Sequence, residues 1–444
     1  MTVRTQYQPE GSTTLELAGH VEGAIGDGTI AAGFRLPPIR DVAAAQGVSP
    51  ATVAAAYRRL RERGLVVTRG RQGTIVARAP RFHIASAAAV PEGKVDLRKG
   101  VPSPEFLHDP IQFASPAPSP GPPSRTIERN DPTLLALAAA RFDRDGIPSS
   151  HLAVVGGAQD GLERILLGHA TKGDLVALED PTYPPFADLL IAMGLTPVPV
   201  EMDDEGMLPE SLAAALGRGV TTVVITPRGQ NPTGAALSRE RAEELLAILR
   251  DRPELLVVED DHMADVAGAE SVSVAADPEV QGWAVVRSVS KSLDPDLRLA
   301  VATGDRGTIA RMESRQGIGT GWVSTILQRM VAGMWASPEV TRSTAAAKAA
   351  YAERRARLIA ELAERGIEAT GATGLNVWIP VEHEAAVVEG LLAAGWAVSP
   401  GELFRLESGP GIRVTIATLQ PEEAPRFADD MAKVLSAAWS GRAY

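Results

Sequence analysis

The chain contains 444 residues, of which 45% are apolar, so it can form roughly two to four domains with sizeable cores. Cysteine is absent, which excludes disulfides and thiolate–metal sites, and the seven His residues are too scattered to predict a metal site. No apolar run is long enough to cross a membrane, and the N-terminal residues lack the apolar segment of a signal peptide. We therefore expect a cytoplasmic protein that contacts no membrane.

The charge is distributed unevenly along the chain. Residues 1–80 contain ten Arg and six acidic residues, a net charge of +4, so the rest of the chain must carry −15 to give the total of −11. A basic module on an acidic body is typical of a protein in which one domain alone contacts nucleic acid.

The first module has the pattern of a helix-turn-helix with a wing. After a helical stretch and a Pro-rich turn, the pattern predicts a helix over residues 39–46. A second helix begins at Pro50 with Ser49 as its N-cap. Two strands, 65–68 and 74–77, follow and are joined by a basic loop. The second helix places three apolar side chains on one face: Val53, Tyr57 and Leu60.

Arginines cluster at the end of this second helix and in the wing, with Glu62 as the only acid nearby. They are Arg58, Arg59, Arg61, Arg63, Arg69 and Arg71. Such side chains contact phosphates and position a helix whose first turn reaches base edges. The pattern also fits a solvated charged helix in a small protein-interaction domain.

The rest of the chain alternates short apolar runs with helical segments. Residues 79–94 have the composition of a linker, and a Pro-rich stretch covers residues 115–123. From Leu152 onward the alternation predicts βα units and a mostly parallel sheet. After Trp335, long helices and short strands predict a smaller α+β domain.

Lys291 is a candidate nucleophile. Lys is scarce, six residues against 38 Arg, and Lys291 ends an apolar strand, where ligands of open α/β sheets gather. A desolvated Lys at this edge can form a Schiff base with an aldehyde cofactor. Ser290 and Arg298 are suited to bind its phosphate, as are the backbone amides of the turn at 156–159, which precedes a helix.

Four further side chains stand where they could complete such a site. Asp260 ends a strand and could pair with a protonated pyridine nitrogen. Asn231 could donate to the ring's 3-oxygen, and Tyr183 could stack on the ring. Arg413 could hold a carboxylate by paired hydrogen bonds. Taken singly, each residue also has an ordinary structural explanation.

The first module resembles the winged helix of GntR-type repressors. The resemblance rests on RLPPIRDVA from Arg35, on the GVS turn at 47–49, and on Thr52-Val53, Tyr57, Leu60, Gly64-Leu65 and Gly73-Thr74. Pro50 departs from the family, which often has Arg at this position. The resemblance implies that DNA is bound by Arg35, Arg40, Ser49, Thr52, Arg58, Arg59, Arg69 and Arg71.

The second part resembles fold-type I aminotransferases. The matching motifs are GGAQ at 156–159, EDPTY at 179–183, NPTG at 231–234, EDD at 259–261, SVSKSLDPDLR at 288–298 and GIRVTIA at 411–417. The resemblance implies a pyridoxal 5'-phosphate (PLP) cofactor, with Lys291 as the catalytic residue and Arg413 as the carboxylate site. The implied cofactor-binding residues are Gly157, Ala158, Gln159, Tyr183, Asn231, Asp260, His262, Ser288, Ser290, Lys291 and Arg298.

With both parts in one chain, the protein resembles a MocR-type regulator. The resemblance implies a winged helix at 1–78, a linker at 79–94 and an aminotransferase-like part at 95–444. Within that part we expect a large domain at about 131–334 and a small domain formed by 95–130 with 335–444. It also implies a homodimer, because the family places cofactor sites at subunit boundaries.

Two departures from the aminotransferase pattern bear on activity. His262 stands where the family usually has a Tyr that donates to the ring's 3-oxygen. Residues 126–129 contain no Tyr, although the family commonly has one there that reaches the partner subunit's cofactor phosphate. Both changes weaken the case for turnover more than the case for binding.

The patterns favour a transcriptional regulator that binds operator DNA and senses PLP, or an amino compound, through its aminotransferase-like part. The alternative is an active PLP-dependent aminotransferase with an appended winged helix. In a third interpretation the winged helix binds protein, which salt-dependent binding to duplex DNA would exclude.

Overall fold

The computed structural model describes residues 7–26, 29–31, 33–62, 65–68, 73–76, 90–113 and 129–440. The chain divides into two compact units, residues 1–83 and 84–444. The predicted wing residues Arg69 and Arg71, the Pro-rich stretch 115–123 and residues 126–128 lie outside the described residues. None of the helices in the described ranges combines the length and apolar character needed to cross a membrane.

The first unit is a winged helix, as predicted. Its helices are α1 (Thr14–Gly26), α2 (Ile39–Gln46) and α3 (Pro50–Glu62), and β1 (Val66–Thr68) pairs antiparallel with β2 (Thr74–Val76). Gly47 ends α2 with a φ of 64°, a left-handed conformation that glycine adopts without strain. The helices and strands enclose one apolar core, which includes Leu17, Val42, Val53, Leu60 and Val76.

The second unit begins with β3 (Val95–Asp96) and continues into a large α/β domain. The strands of its sheet are β4 (Leu152–Val155), β5 (Leu175–Asp180), β6 (Thr196–Asp203), β7 (Gly206–Met207), β8 (Thr222–Ile225), β9 (Leu256–Asp260), β10 (Gly282–Ser288) and β11 (Ala300–Gly304). Its helices are α4 (Pro132–Arg144), α5 (Ala158–His169), α6 (Pro184–Ala192), α7 (Pro209–Leu216), α8 (Arg239–Leu249), α9 (Arg306–Ile318) and α10 (Thr325–Ala336).

The eight strands have the order β4-β11-β10-β9-β8-β5-β6-β7. The pairings of β10, β9, β8, β5 and β6 are parallel, as the alternating pattern predicts. β11 is antiparallel to both of its neighbours. A short segment containing one 3-10 turn joins β10 to β11, and it is too short for the helical crossover that a parallel pair needs.

The small domain contains α11 (Pro338–Glu364), β12 (Asn376–Pro380), α12 (Glu384–Ala394), β13 (Trp396–Ala397), β14 (Ser399–Pro400), β15 (Gly411–Thr415) and α13 (Ala424–Ser440). β15 lies between β12 and β14 in an antiparallel sheet. β3, from the start of the unit, pairs in parallel with β13. Leu97, Trp396 and Phe427 lie in the shared apolar core, so the residues that follow the predicted linker belong to this domain.

Candidate functional site

A cavity of about 410 Å³ lies where the parallel strands of the large sheet end. Every residue predicted to bind the cofactor or the effector lines it: Gly157, Ala158, Gln159, Tyr183, Asn231, Asp260, His262, Ser288, Ser290, Lys291, Arg298 and Arg413. Residues far apart in sequence meet here because the loops after β4, β5, β8, β9 and β10 all emerge at one edge of the sheet. The cavity is the candidate site for PLP.

Lys291 is the buried amine of this cavity. Burial lowers its pKa to about 8, and the positive charges of Arg413 and Arg298 act in the same direction, while Asp260 opposes them. The Nζ atom donates a hydrogen bond to the carbonyl oxygen of Gly100. A Lys with this pKa has a substantial fraction of neutral, nucleophilic amine near neutral pH.

One end of the cavity is suited to an anion. Gly157 precedes α5 and has a φ of 99°, and a Cβ at this position would lie 3.9 Å from a guanidinium nitrogen of Arg298. Arg298 has a left-handed backbone, with φ at 45°, which is uncommon for a residue other than glycine. The hydroxyls of Ser288 and Ser290 lie 3.1 Å apart in the same cavity. A cation, hydroxyl donors and a helix N-terminus together fit a phosphate group.

An acidic side chain also lies at this helix N-terminus. The Asp160 carboxylate accepts a hydrogen bond from the amide of Gly156 at 2.8 Å and pairs with Arg164 at 2.6 Å. Its charge is therefore largely neutralised, and the amide of Gly156 is already in use. The candidate phosphate donors in this turn are thus the amides that follow Gly157.

Asp260 lines the cavity and has a buried carboxylate oxygen. Within the described part of the chain, its Oδ1 atom has no hydrogen-bond partner. Its Oδ2 atom lies 3.5 Å from Nδ1 of His262, and this nitrogen also lacks a hydrogen bond to any described residue. An unpaired buried acceptor is costly, so the site fits a ligand that carries a cationic N–H, such as a protonated pyridine ring.

Arg413 is a buried cation in the middle of β15. Its guanidinium donates to Oδ1 of Asn231 at 2.9 Å, to Oγ of Ser399 at 3.2 Å and to the carbonyl of Arg98, and it lies over the Phe404 ring. Nε lacks a partner, and no carboxylate among the described residues pairs with this Arg. Burial accordingly lowers the pKa of Arg413 to about 10. A carboxylate ligand would supply the missing counter-charge.

Four lining residues were not predicted from the sequence: Gly100, Val101, Thr226 and Pro295. Thr226 follows β8, and its amide donates to the buried carboxyl of Glu179 at 2.8 Å. Burial raises the pKa of Glu179 to about 7. The position of Thr226 just after a parallel strand is a sequence signal that identifies it as a lining residue. No local sequence pattern indicates that Gly100 contacts Lys291.

A buried ion-pair network supports the strand ends and was also not predicted. Asp261 accepts hydrogen bonds from Arg228 at 2.8 Å and from Arg287 at 2.7 Å, and Asp145 contacts the same two arginines at 3.1 and 2.7 Å. Both arginines hold the pKa of Asp261 below its usual range despite its burial. Successive residues of a strand point to opposite faces, so Asp260 faces the cavity while Asp261 anchors the strand behind it.

The predicted DNA-binding side chains that the structure describes lie on the winged helix. Arg35, Arg40, Arg58 and Arg59 are exposed, and no ion pair joins them to another described residue. At the start of α3, Oγ of Ser49 accepts from the amide of Thr52 at 3.1 Å and lies 2.8 Å from its hydroxyl. Ser49 therefore caps the helix, as predicted.

Comparisons with known proteins match both units. The family model "Aminotransferase class I and II" matches residues 135–431, and "Bacterial regulatory proteins, gntR family" matches residues 13–76. The chain is 36% identical over 436 residues to the vitamin B6 salvage pathway transcriptional repressor PtsJ of Salmonella typhimurium, covering 96% of this chain and 99% of that protein. It is 28% identical over 446 residues to the HTH-type transcriptional regulator TauR of Rhodobacter capsulatus, covering 89% and 90%.

Solved structures share the fold of the second unit. LysN, an alpha-aminoadipate aminotransferase of Thermus thermophilus complexed with N-(5'-phosphopyridoxyl)-L-leucine, has a TM-score of 0.67 at 20% identity, covering 81% of this chain and 96% of that one. A kynurenine aminotransferase of Pyrococcus horikoshii in complex with PMP has a TM-score of 0.68 at 20% identity, covering 78% and 92%. The protein therefore belongs to the MocR-type transcriptional regulators, in which a GntR-type winged helix is joined to an aminotransferase class I/II domain.

Proposed function

We propose that PLP attaches covalently to Lys291 and that its binding changes the affinity of the winged helix for operator DNA. The observation that carries the proposal is the buried Lys291 amine, with its pKa of about 8, in a cavity lined by every residue predicted for the cofactor. When bound, PLP supplies an aldehyde that an amine can capture and an electron-withdrawing ring.

Different residues of the cavity bind different groups of PLP. Ser288, Ser290, Arg298 and the amides after Gly157 bind the phosphate. Asp260 holds the ring nitrogen as a cation through its unpaired Oδ1 atom. The side-chain amide nitrogen of Asn231 donates to the ring's 3-oxygen, since its oxygen accepts from Arg413.

Two observations indicate the effector. The name of the Salmonella relative refers to vitamin B6 salvage, which favours PLP itself as the sensed molecule. Arg413, a buried cation without a carboxylate partner in the described part of the chain, favours an additional ligand that carries a carboxylate. We therefore propose PLP as the primary effector and an amino acid as a second.

The winged helix binds duplex DNA in this proposal, which places the protein in the cytoplasm. Arg35, Arg40, Arg58 and Arg59 contact phosphates, while Thr52, in the first turn of α3, approaches base edges. Arg69 and Arg71, in the loop between the two wing strands, complete the proposed set, and both lie outside the described residues.

We also propose a homodimer formed through the aminotransferase-like unit. Ile111 is 74% exposed, in a 3-10 turn that packs against α10, and Ile326 at the start of α10 is 66% exposed. Ile318 and Trp322, just before α10, are also exposed. Exposed apolar side chains such as these are typical of a protein interface. Ile326→Asp should therefore yield monomers in sedimentation, and an unchanged dimer would contradict this face.

The proposed function is tested by titrating full-length protein into the DNA that lies upstream of its own gene. DNA affinity would be measured by fluorescence anisotropy with and without PLP, while absorbance in the near-visible range reports covalent attachment. PLP should change the DNA affinity of the wild type and leave that of Lys291→Ala unchanged. Equal affinities in the presence of full attachment would overturn the proposal.

An active aminotransferase is the second candidate function. It is favoured by the joint presence of Lys291, Asp260 and Arg413 in one cavity. His262 opposes it, because this imidazole stands where the family usually has Tyr. Turnover assays across amino donors and keto acids distinguish the two candidates, and His262→Tyr is the informative variant. Efficient turnover by the wild type would favour the enzyme.

A further inference from the structure

A second cavity, of about 390 Å³, lies in the aminotransferase-like unit and shares no lining residue with the cofactor cavity. Its volume is within the range of roughly 300–1,000 Å³ that is usual for small-molecule sites. The end of α4, the loops after β8, β9 and β10, the end of α10 and the first turns of α11 line it. It therefore lies where the large domain meets the long helix of the small domain.

The carboxylates that line this second cavity are already paired. Asp265 accepts a hydrogen bond from Nη1 of Arg141 at 2.8 Å. Asp145 contacts three arginines at 3.3, 3.1 and 2.7 Å. Glu270 forms an ion pair with Arg239 on the surface. Because each carboxylate has a basic partner, the cavity is not suited to a cationic ligand.

The hydrogen-bond donors of the second cavity are not all paired. Arg228 is a built-in part of its wall, with a side chain that is only 6% exposed. Its Nε and Nη2 atoms donate to Asp261 and Asp145, whereas Nη1 makes no hydrogen bond within the described ranges of the chain. Arg141 uses only Nη1 in this way. A buried donor that lacks a partner is costly, so these guanidinium groups favour a ligand with acceptor atoms.

Two further donors come from α10 and α11. The Nε1 atom of Trp335 is buried and has no hydrogen-bond partner in the described part of the chain, and the Trp335 ring lies 4.6 Å from the guanidinium carbon of Arg141. Lys348 is exposed on α11 and forms no ion pair with a described residue. Leu293 and Val340 add apolar side chains to the wall. The lining thus combines unpaired donors, a positive charge and an apolar surface.

We propose that this cavity is a second ligand site, which binds a small organic anion: a carboxylate or a phosphate ester on an apolar body. The oxygens of such a group accept charge-assisted hydrogen bonds, and its charge balances that of Lys348. The apolar body contacts Leu293 and Val340. The inference goes beyond the proposed function, because neither the cofactor cavity nor the winged helix contributes a residue to this site.

Isothermal titration calorimetry of the full-length protein tests this inference. The protein would be loaded with PLP and separated from the excess by gel filtration, so that PLP does not compete for the second cavity. The probes are benzoate, phenyl phosphate and the neutral benzamide. At least one of the two anions should bind at millimolar concentration or below, and benzamide should bind at least about tenfold more weakly than that anion. Absence of binding by both anions, or equal binding of benzamide, overturns the proposal.

Trp335→Phe assigns the binding to this cavity, because it removes the Nε1 donor and keeps an aromatic ring. Affinity for the anion should fall about tenfold, as expected when a hydrogen bond to a charged group is lost. Trp283→Phe is the control, since Trp283 is also partly buried against the core of the large domain, and it should retain the wild-type affinity. Full affinity in Trp335→Phe, or an equal loss in both variants, overturns the site.

Lys348→Gln provides a second test that does not depend on the folding of Trp335→Phe. The exposed position of Lys348 on α11 makes the substitution mild, and loss of its charge should weaken anion binding about threefold. Lys172→Gln, at another exposed Lys of the same unit, should leave the affinity unchanged. Full affinity in Lys348→Gln, or the same loss in Lys172→Gln, would contradict the proposal.

Discussion

Arginine has different surroundings in the two units. In the winged helix, Arg40, Arg58 and Arg59 are exposed and have no ion pair with another described residue. In the aminotransferase-like unit, Arg228 and Arg287 are buried and paired with Asp145 and Asp261. The charges of the first group face solvent without a described ion-pair partner, while the second group fixes strand ends.

The comparison shows that burial and pairing, rather than the number of arginines, decide what an Arg can bind. Arg413 belongs to neither group, because it is only 6% exposed and yet lacks a carboxylate partner among the described residues. A buried cation without a counter-charge is costly unless a ligand neutralises it. In the proposed function, the cations of each unit thus bind one class of anion: DNA phosphates in the first unit and a small ligand in the second.

The largest expected effect is that of Lys291→Ala, which should abolish PLP attachment without changing DNA binding in the absence of PLP. Lys291→Ala should remove the near-visible absorbance of attached PLP completely, because no other described Lys lines the cavity. DNA binding in the absence of PLP should stay at the wild-type level. Lys172→Ala, which changes an exposed Lys of the same unit, is the control and should retain full absorbance. Residual attachment in Lys291→Ala would show that another amine is used.

The second prediction concerns the exposed arginines. Arg58→Ala with Arg59→Ala should weaken binding to cognate and scrambled duplexes alike. It should flatten the dependence of log affinity on log salt by about 0.9 for each phosphate that the variant no longer neutralises. Arg250→Ala, in the other unit, should leave the slope unchanged. A weaker affinity for the cognate duplex alone would instead assign base contacts to Arg58 and Arg59.

The third prediction concerns pH. The amine of Lys291 attacks only when neutral, and its pKa is lowered to about 8, so the rate of PLP attachment should rise up to about pH 8 and then level off. Arg413→Leu removes a nearby positive charge that lowers this pKa, so the profile should move to higher pH. Asp260→Asn should move it to lower pH, because Asp260 raises the pKa. Stopped-flow absorbance across pH measures all three, and equal profiles would contradict these electrostatics.

The smallest expected effect concerns Ser49, for which two roles are distinguished: the N-cap of α3 and the proposed contact with DNA. Ser49→Ala removes the N-cap of α3 and should lower the free energy of unfolding of the winged helix by about 1 kcal/mol. Ser49→Asp keeps a capping oxygen but adds a negative charge, so stability should be retained while DNA affinity falls. Thermal unfolding and duplex titration of both variants test this. Unchanged DNA affinity in Ser49→Asp would remove Ser49 from the DNA-binding surface.

The sequence predicts most of the residues that line the cavity because these residues follow a simple rule. Asp260, Ser288 and Lys291 lie at or just after the carboxyl ends of parallel strands, where position in the chain fixes position in space. The lining residues Gly100 and Val101 and the network around Asp261 follow no such rule. They depend on contacts between distant segments, such as that of Gly100 with Lys291, and only the packed structure supplies them.

Thermodynamic linkage between PLP binding and DNA binding provides the most direct test of regulation by PLP. If PLP changes the affinity for DNA by some factor, DNA must change the affinity for PLP by the same factor. PLP binding to the full-length protein would be titrated by absorbance with and without a saturating cognate duplex. We predict that the duplex shifts the PLP dissociation constant by the factor measured in the DNA titration. Identical PLP titrations with and without DNA would contradict the coupling of the two units.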